Sequence, residues 1–296
     1  MSPADLARLF GLAAVWGLAF VFIRVSVPPL GPVALTVIRT FVAGCALLLV
    51  ARALGVRLEW GARWRRFLAF GVVNSAIPFM LISAAEQAMT AAFAAILVAT
   101  APLFGALIAA VWARERPTAS RIVGLVAGVL GVALLVGWRP AGAELPPAWS
   151  IAATLAAAAL FGVAANYARL RLQDIPSMAA AAGGQLSAGL LLIPFVAAVP
   201  PAAMPTPVEW ASAFALALLS SALAFVLYFR LIANVGAVKT LTVNFLSPLV
   251  GVTGGVVLLG EPVTLNMIVG TAVILSGTWL VIGQRERAST PKATGT

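Results

Sequence analysis

Long apolar stretches recur along the chain, at 6–26, 32–52, 64–85, 90–112, 119–138, 148–170, 177–199, 208–229, 237–259 and 264–283, with polar, proline and glycine residues gathered between them. About 20 apolar residues cross a hydrocarbon core of about 30 Å. The runs are continuously apolar and do not alternate, which predicts helices and disfavours a β-barrel. Without water in the lipid, each span must close its own backbone hydrogen bonds, which a helix does. The connections are short, Pro28-Pro29-Leu30-Gly31-Pro32 and residues 200–207 among them, so none holds a soluble domain. The first run is read as a retained helix, not a signal peptide. It is apolar from Leu9 to Ile23, Arg24 and Pro28-Pro29 follow, and no small-x-small cleavage site stands out.

Composition narrows the class further. Hydrophobic residues make up 62% and charged residues 9%, against about 25% charge in a soluble domain. That excludes a soluble enzyme, a disordered chain and a disulfide-stapled secreted domain. The sequence has no His and its single Cys is Cys45, so a Cys/His metal site, a His-based triad and an intrachain disulfide are excluded. No metal or cofactor is expected, and no catalytic constellation is present.

The net charge of +10 follows membrane topology. With the N-terminus in the cytoplasm, one side collects Arg8, then Arg52, Arg57, Arg63, Arg65 and Arg66, then Arg114, Arg116 and Arg121. It also takes Arg169, Arg171, Arg230, Lys239, Arg285, Arg287 and Lys292, and the other side keeps Arg139. This is the positive-inside pattern for an even number of spans with both termini in the cytoplasm. It accounts for the basic balance without nucleic acid.

Sliding the chain against itself by 146 positions places Trp64 on Trp210, Asn74-Ser75 on Ser220-Ser221, and Phe79 on Phe225. It also places Pro102 on Pro248, Glu115 on Glu261, and Gly124, Gly131 and Gly137 on Gly270, Gly277 and Gly283. A shift of 145 extends the match backwards, Gly17 to Gly162 and Gly44 to Gly189. Five spans per unit is an odd number, so the second copy enters the membrane from the opposite side. Glu115 then falls in the cytoplasm and Glu261 outside. Inverted repeats are a transporter feature, because two such halves can exchange conformations around a central site. The expected fold is an all-α membrane protein of ten transmembrane helices, built as two inverted five-helix repeats around a central cavity. Residues 1–145 form the first unit, 146–287 the second, and 288–296 a disordered cytoplasmic tail.

The same landmarks carry a resemblance. Ala101-Pro102-Leu103-Phe104-Gly105 leads through Arg114-Glu115-Arg116-Pro117 to Gly124 and Gly131. Ser247-Pro248-Leu249-Val250 leads through Gly260-Glu261-Pro262 to Gly270 and Gly277. Both stretches resemble the repeat of the drug/metabolite transporter superfamily, the EamA-type carriers. The resemblance implies a carrier with a central cavity, working by alternating access, and the expected protein is a monomer of the bacterial cytoplasmic membrane in contact with lipid and a small-molecule substrate. The chain looks most like the branch that exports aromatic and neutral amino acids and related metabolites. The alternative is proton-coupled multidrug or metabolite efflux.

The polar and aromatic residues inside the spans supply the candidate site: Trp16, Phe20, Arg39, Asn74, Ser75, Phe79, Asn166, Tyr167, Gln185, Ser220, Ser221 and Asn244. Asn and Gln in a membrane must find partners, by joining helices or by lining a cavity. An aromatic stripe is packing or a binding wall. A hollow of aromatics, amides and hydroxyls lacking fixed charge would suit neutral or zwitterionic amino acids. Arg39 lies about 10 Å into the second helix. It either anchors a substrate carboxylate, or reaches the external interface or pairs with Glu86. The acids all fall in loops, termini or last turns, which favours transport without obligatory proton coupling, since proton relays run through buried acids or His. Glu86 is the best remaining candidate for coupling, and the favoured reading for it is a helix-end charge in water or a partner of Arg24 or Arg39. Pro78, Pro102, Pro194 and Pro248 interrupt helices as hinges or static kinks. The glycine rows at Gly124, Gly128, Gly131 and at Gly270, Thr271, Gly277 are read as close-packing faces.

Overall fold

The computed structural model describes residues 1–112, 118–137 and 145–282. Glu115 with its flanking arginines, Trp138, Arg139 and the tail 288–296 lie outside the described residues. The described residues are helical: α1 Pro3–Ala53, α2 Trp60–Ala85, α3 Ala91–Trp112, α4 Ala119–Gly137, α5 Ala148–Arg171, α6 Ser177–Ala198, α7 Pro207–Val235, α8 Val243–Leu259 and α9 Leu265–Ile282. All but α8 are long and apolar enough to cross a bilayer, and α8 is a shorter apolar helix. The protein is an all-helical membrane protein.

The expected break between the first two segments is a bend and not a loop. Helical hydrogen bonding continues through Pro28, Pro29 and Pro32, and Gly31 alone leaves the helical region, at φ 72 and ψ 164. Only glycine adopts that conformation without strain, so the direction change falls there. The Pro29 carbonyl accepts from the Ala202 N–H at 2.9 Å, which ties the α6–α7 connection to the bend.

Two more irregularities concern the interior. In α2 residues Val72–Ala76, and in α7 residues Leu218–Leu223, form π-helical turns. Such turns insert an extra residue and re-aim side chains, commonly at functional sites. They hold Asn74-Ser75 and Ser220-Ser221. Pro78 follows the first turn and lacks the N–H that an α-helix would give to the Asn74 carbonyl. In α3 the helix breaks at residues 99–100 and restarts with Pro102 as the second residue of Ala101–Trp112, a position that needs no N–H. Pro194 and Pro248 sit inside α6 and α8.

Long helix α1 packs on α6, α7 and α8, α2 on α5 and α6, α3 on α5 and α8, and α4 on α9. Small residues allow the approach. A Cβ on Gly44 would stand 2.7 Å from the Leu186 nitrogen, and one on Gly71 would stand 2.3 Å from the Gly184 carbonyl oxygen. At one end of the bundle the packing is continuous: Ile23, Val27, Leu30, Leu35 and Met89 join one buried apolar cluster in which every residue from 91 to 97 is buried.

Glu261 fastens this end. Its carboxylate accepts from the N–H groups of Ala91 at 2.8 Å and Ala92 at 2.9 Å, at the start of α3. An anion there satisfies orphan donors and meets the positive end of the helix dipole. Glu261→Ala is expected to lower stability by about 1–2 kcal/mol, the scale of a lost N-cap. The thermal unfolding temperature in detergent reads this, and an unchanged value would remove the capping role.

Candidate functional site

A cavity of about 560 Å³ lies between α1, α2, α3, α5, α7 and α8. It extends to the bundle end marked by Arg121 of α4, Arg169 of α5 and Ile282 of α9. The opposite end is the apolar cluster described above. Trp16, Phe20, Phe79, Phe161, Phe225 and Tyr228 supply aromatic wall, with Trp16 and Tyr228 rings 5.5 Å apart and Phe79 and Phe161 rings 6.0 Å apart. Among the described residues no Asp or Glu lines the cavity, whereas three arginines do. The expected hollow without fixed charge is therefore corrected: the lining is cationic.

Arg39 is the deep cation. It is 6% exposed, so it does not reach the interface. It forms no ion pair among the described residues, so it is not paired with Glu86. Its guanidinium carbon stands 3.5 Å from the centroid of the Phe79 ring. Its Nε donates to Ser221 Oγ at 3.0 Å, and that hydroxyl in turn donates to the Leu216 carbonyl five residues back, on the π turn of α7. Residues from α1, α2 and α7 thus hold one guanidinium against the cavity.

The lining follows the register of the duplication. Asn74 and Ser220, Phe79 and Phe225, Ala95 and Leu241, Val98 and Asn244, and Pro102 and Pro248 lie 146 positions apart, and both members of each pair line the cavity. Trp16 and Phe161, 145 apart, do the same. The two π turns also coincide under the shift of 146.

Of the sequence candidates, Trp16, Phe20, Arg39, Asn74, Phe79, Asn166, Ser220, Ser221 and Asn244 come together at the cavity. Asn166 does double duty, because its Nδ2 donates to the carbonyls of Gly105 and Gly162 at 2.9 Å each and so joins α5 to α3. Pro102 and Pro248 also line the wall. Ser75 is buried beside it and accepts from Asn74 Nδ2 at 3.2 Å. Pro78 and Pro194 do not line the cavity, and Pro194 is exposed. Gln185 is buried in α6 with neither amide atom hydrogen-bonded to protein. Tyr167 lies instead in a shallow hollow with Arg66 and Asp174 at the α5–α6 connection. There Arg66 Nη1 donates to Asp174 at 2.9 Å, and the hydrogen-bonded guanidinium holds the Asp174 carboxyl down at about 2.

Glu86 also departs from expectation. It follows α2 directly but is completely buried, not solvated, and neither carboxyl oxygen has a hydrogen-bond partner. Arg24 donates to its backbone carbonyl, not to its carboxylate. Sequence reasoning missed Phe161, Tyr228, Ser247, Arg121 and Arg169 as lining residues. The repeat register held the signal for Phe161, the mate of Trp16, and for Ser247, which precedes the repeated proline. Arg121 and Arg169 sit at helix ends, where composition reads them as topology.

Apolar helices long enough to cross a bilayer, grouped around a cation-bearing hollow, define a multi-pass membrane transport protein. The chain belongs to the EamA-like transporter family, whose model matches residues 6–137 and again 148–283. Among its relatives is a probable terminal-alkyne amino-acid exporter of Streptantibioticus cattleyicolor, 30% identical over 281 residues, covering 93% of this chain and 94% of that one. An uncharacterized transporter of Archaeoglobus fulgidus is 24% identical, covering 91% of this chain and 95% of that one. One solved crystal structure superposes with a TM-score of 0.67 at 20% identity, covering 98% of this chain and all of that one, a likeness of fold.

Proposed function

We propose that the protein is a carrier that exports amino acids, aromatic and neutral ones, and related small metabolites across the bacterial cytoplasmic membrane by alternating access. The observation that carries this reading is the cavity lined by register-paired residues. Two equivalent half-sites facing one hollow are what an exchange between inward-open and outward-open states requires. Splitting α1 at Gly31 and counting α8 gives ten spans, five in each matched unit. Both termini then lie in the cytoplasm, and the cavity opens to that side. The end closed by Glu261 and residues 91–97 faces outward.

Charge selects among substrates. The deep Arg39, with no acid lining the cavity among the described residues, disfavours cationic drugs and favours zwitterions or anions. The name of the relative from Streptantibioticus supports the amino-acid reading. The absence of a lining acid among the described residues supports transport without obligatory proton coupling. A second reading, proton-coupled efflux, draws on the buried Glu86. Counterflow of labelled amino acids into proteoliposomes, with and without a pH gradient, tests both. Exchange of aromatic and neutral amino acids without an imposed gradient is expected. Uptake seen only with a proton gradient would establish the second reading, and displacement by cationic drugs alone would refute the first.

A further inference from the structure

Arg39 presents a physical problem that a ligand would solve. Arg39 is nine-tenths buried inside a membrane helix bundle, and of its five N–H donors one, on Nε, has a protein acceptor among the described residues. Among these residues the terminal amines Nη1 and Nη2 have no acceptor, and no carboxylate pairs with them. A buried unpaired charge is strongly unfavourable unless something neutralises it. The Phe79 face and Ser221 fix the plane of the guanidinium without occupying its outer edge, and a cation over a ring recovers part of the cost at most. Beside Ser221 on the same π turn, Ser220 Oγ is buried at the cavity wall and lacks a partner. A fixed fork of two free amines matches a carboxylate in bidentate geometry.

We propose that Arg39, with Ser220, forms a carboxylate-binding subsite: the transported molecule carries a carboxylate, which Nη1 and Nη2 grip, while its apolar part lies along the aromatic wall. The assignment deepens the carrier reading and rests on it. It also explains the single deep cation. One carboxylate neutralises Arg39, so the loaded site has the net charge of the rest of the substrate. Arg39 joins α1 to α7 through Ser221, so an anion that pulls on the guanidinium acts on both matched units.

The test measures binding and flux separately. Thermal unfolding of the purified full chain is followed with L-phenylalanine, phenylacetate, phenyl phosphate and L-phenylalanine methyl ester. For the native protein the two carboxylates are expected to half-saturate at concentrations at least about tenfold below the ester, the scale of one charged hydrogen-bonded contact. Arg39→Gln is expected to erase that preference, and Arg39→Lys, which keeps the charge but not the fork, to retain only part of it. Without ligand, Arg39→Gln should unfold at the same temperature as the native protein or higher, because it removes an unpaired buried charge, whereas a purely structural arginine would make it lower. An acid-over-ester preference that survives Arg39→Gln, no preference in the native protein, or stabilisation by phenyl phosphate but not phenylacetate would each overturn the proposal. Should Arg39→Gln not fold, Arg39→Lys decides alone: an undiminished preference overturns the subsite and a reduced one supports it. Counterflow of the same compounds is scored independently. Carboxylate-selective binding without exchange would leave the subsite and remove the carrier reading, and exchange indifferent to the carboxylate would do the reverse.

Discussion

Gly277→Leu is expected to remove most of the folded protein, while Gly128→Ala, one helix away on the same seam, is expected to leave most of it. The two glycines are neighbours, but a side chain on Gly277 would enter the α4–α9 contact, whereas one on Gly128 would point at Leu103 of α3. A Cβ on Gly277 would stand 2.6 Å from the Gly124 carbonyl oxygen and 2.9 Å from the Gly128 nitrogen, both backbone. A Cβ on Gly124 would meet the Gly277 carbonyl oxygen at the same 2.6 Å. Neither side of that contact can yield without separating the helices. Helix association in lipid relies on such close approach, since lipid tails are as apolar as the residues they would replace. A Cβ on Gly128 would meet Leu103 at 2.0 Å, but through Cδ1 at the tip of a side chain that can change rotamer. Overpacking typically costs about 1–3 kcal/mol, occasionally more. A clash with backbone on both sides belongs at the upper end, and one with a leucine tip at the lower. Monodisperse yield after detergent extraction reads the difference. Equal yields for the two variants would show that α4 and α9 do not depend on this approach. Neither Gly128 nor Leu103 lines the cavity, so any folded Gly128→Ala should keep its flux.

Much of this arrangement is legible in the sequence because membrane physics leaves few options. The apolar runs set the helices to within a few residues. The duplication is read from Trp64, Pro102 and their mates, and the same register tells which residues share the cavity wall. Backbone irregularities are less legible. Proline and glycine between residues 28 and 32 suggest a loop, yet only Gly31 leaves the helix, because each proline forfeits one hydrogen bond and the helix continues past it. The π turns have no proline signature in common: Pro78 follows the first, and Ala224 stands in the matching place after the second. Arg39 and Glu86 could each be read from sequence as solvated or paired. Deciding that they are neither takes the positions of Phe79 and Ser221 against Arg39 and the complete burial of Glu86. Charge on a lining formed by helix ends, such as Arg121 and Arg169, is equally invisible until the ends converge.

Glu86→Gln is expected to make transport nearly indifferent to pH where the native protein is not. Glu86 sits in the connection between α2 and α3, at the end fastened by Glu261, with no exposure and no donor to either carboxyl oxygen. Burial pushes its carboxyl well above the usual carboxylate range, and Glu261 adds to that shift, while Arg24 and Arg39 oppose it. Glu261 is itself occupied by the N–H groups of Ala91 and Ala92, and Arg24 donates to the Glu86 backbone carbonyl and not to its carboxylate. The closed end therefore favours the protonated form of Glu86, and opening it would admit water, which favours the ionised form. The closed state binds the proton more tightly than the open one, so its stability is highest at low pH and falls as pH rises from the ordinary carboxylate range toward the raised value. Opening should become easier over that window, by about tenfold for each pH unit separating the two affinities. A cysteine placed at Met89, which is 4% exposed, in a Cys45→Ser background would report this. Divided by the labelling rate of the denatured protein at the same pH, which removes the ionisation of the thiol itself, its labelling from the side of the closed end should rise with pH in the otherwise native protein and stay low and flat with Glu86→Gln, which remains neutral in both states. Flux through Glu86→Gln should fall with it. Labelling that rises with pH equally in both would mean that some other group sets the closure, and would return Glu86 to a packing role.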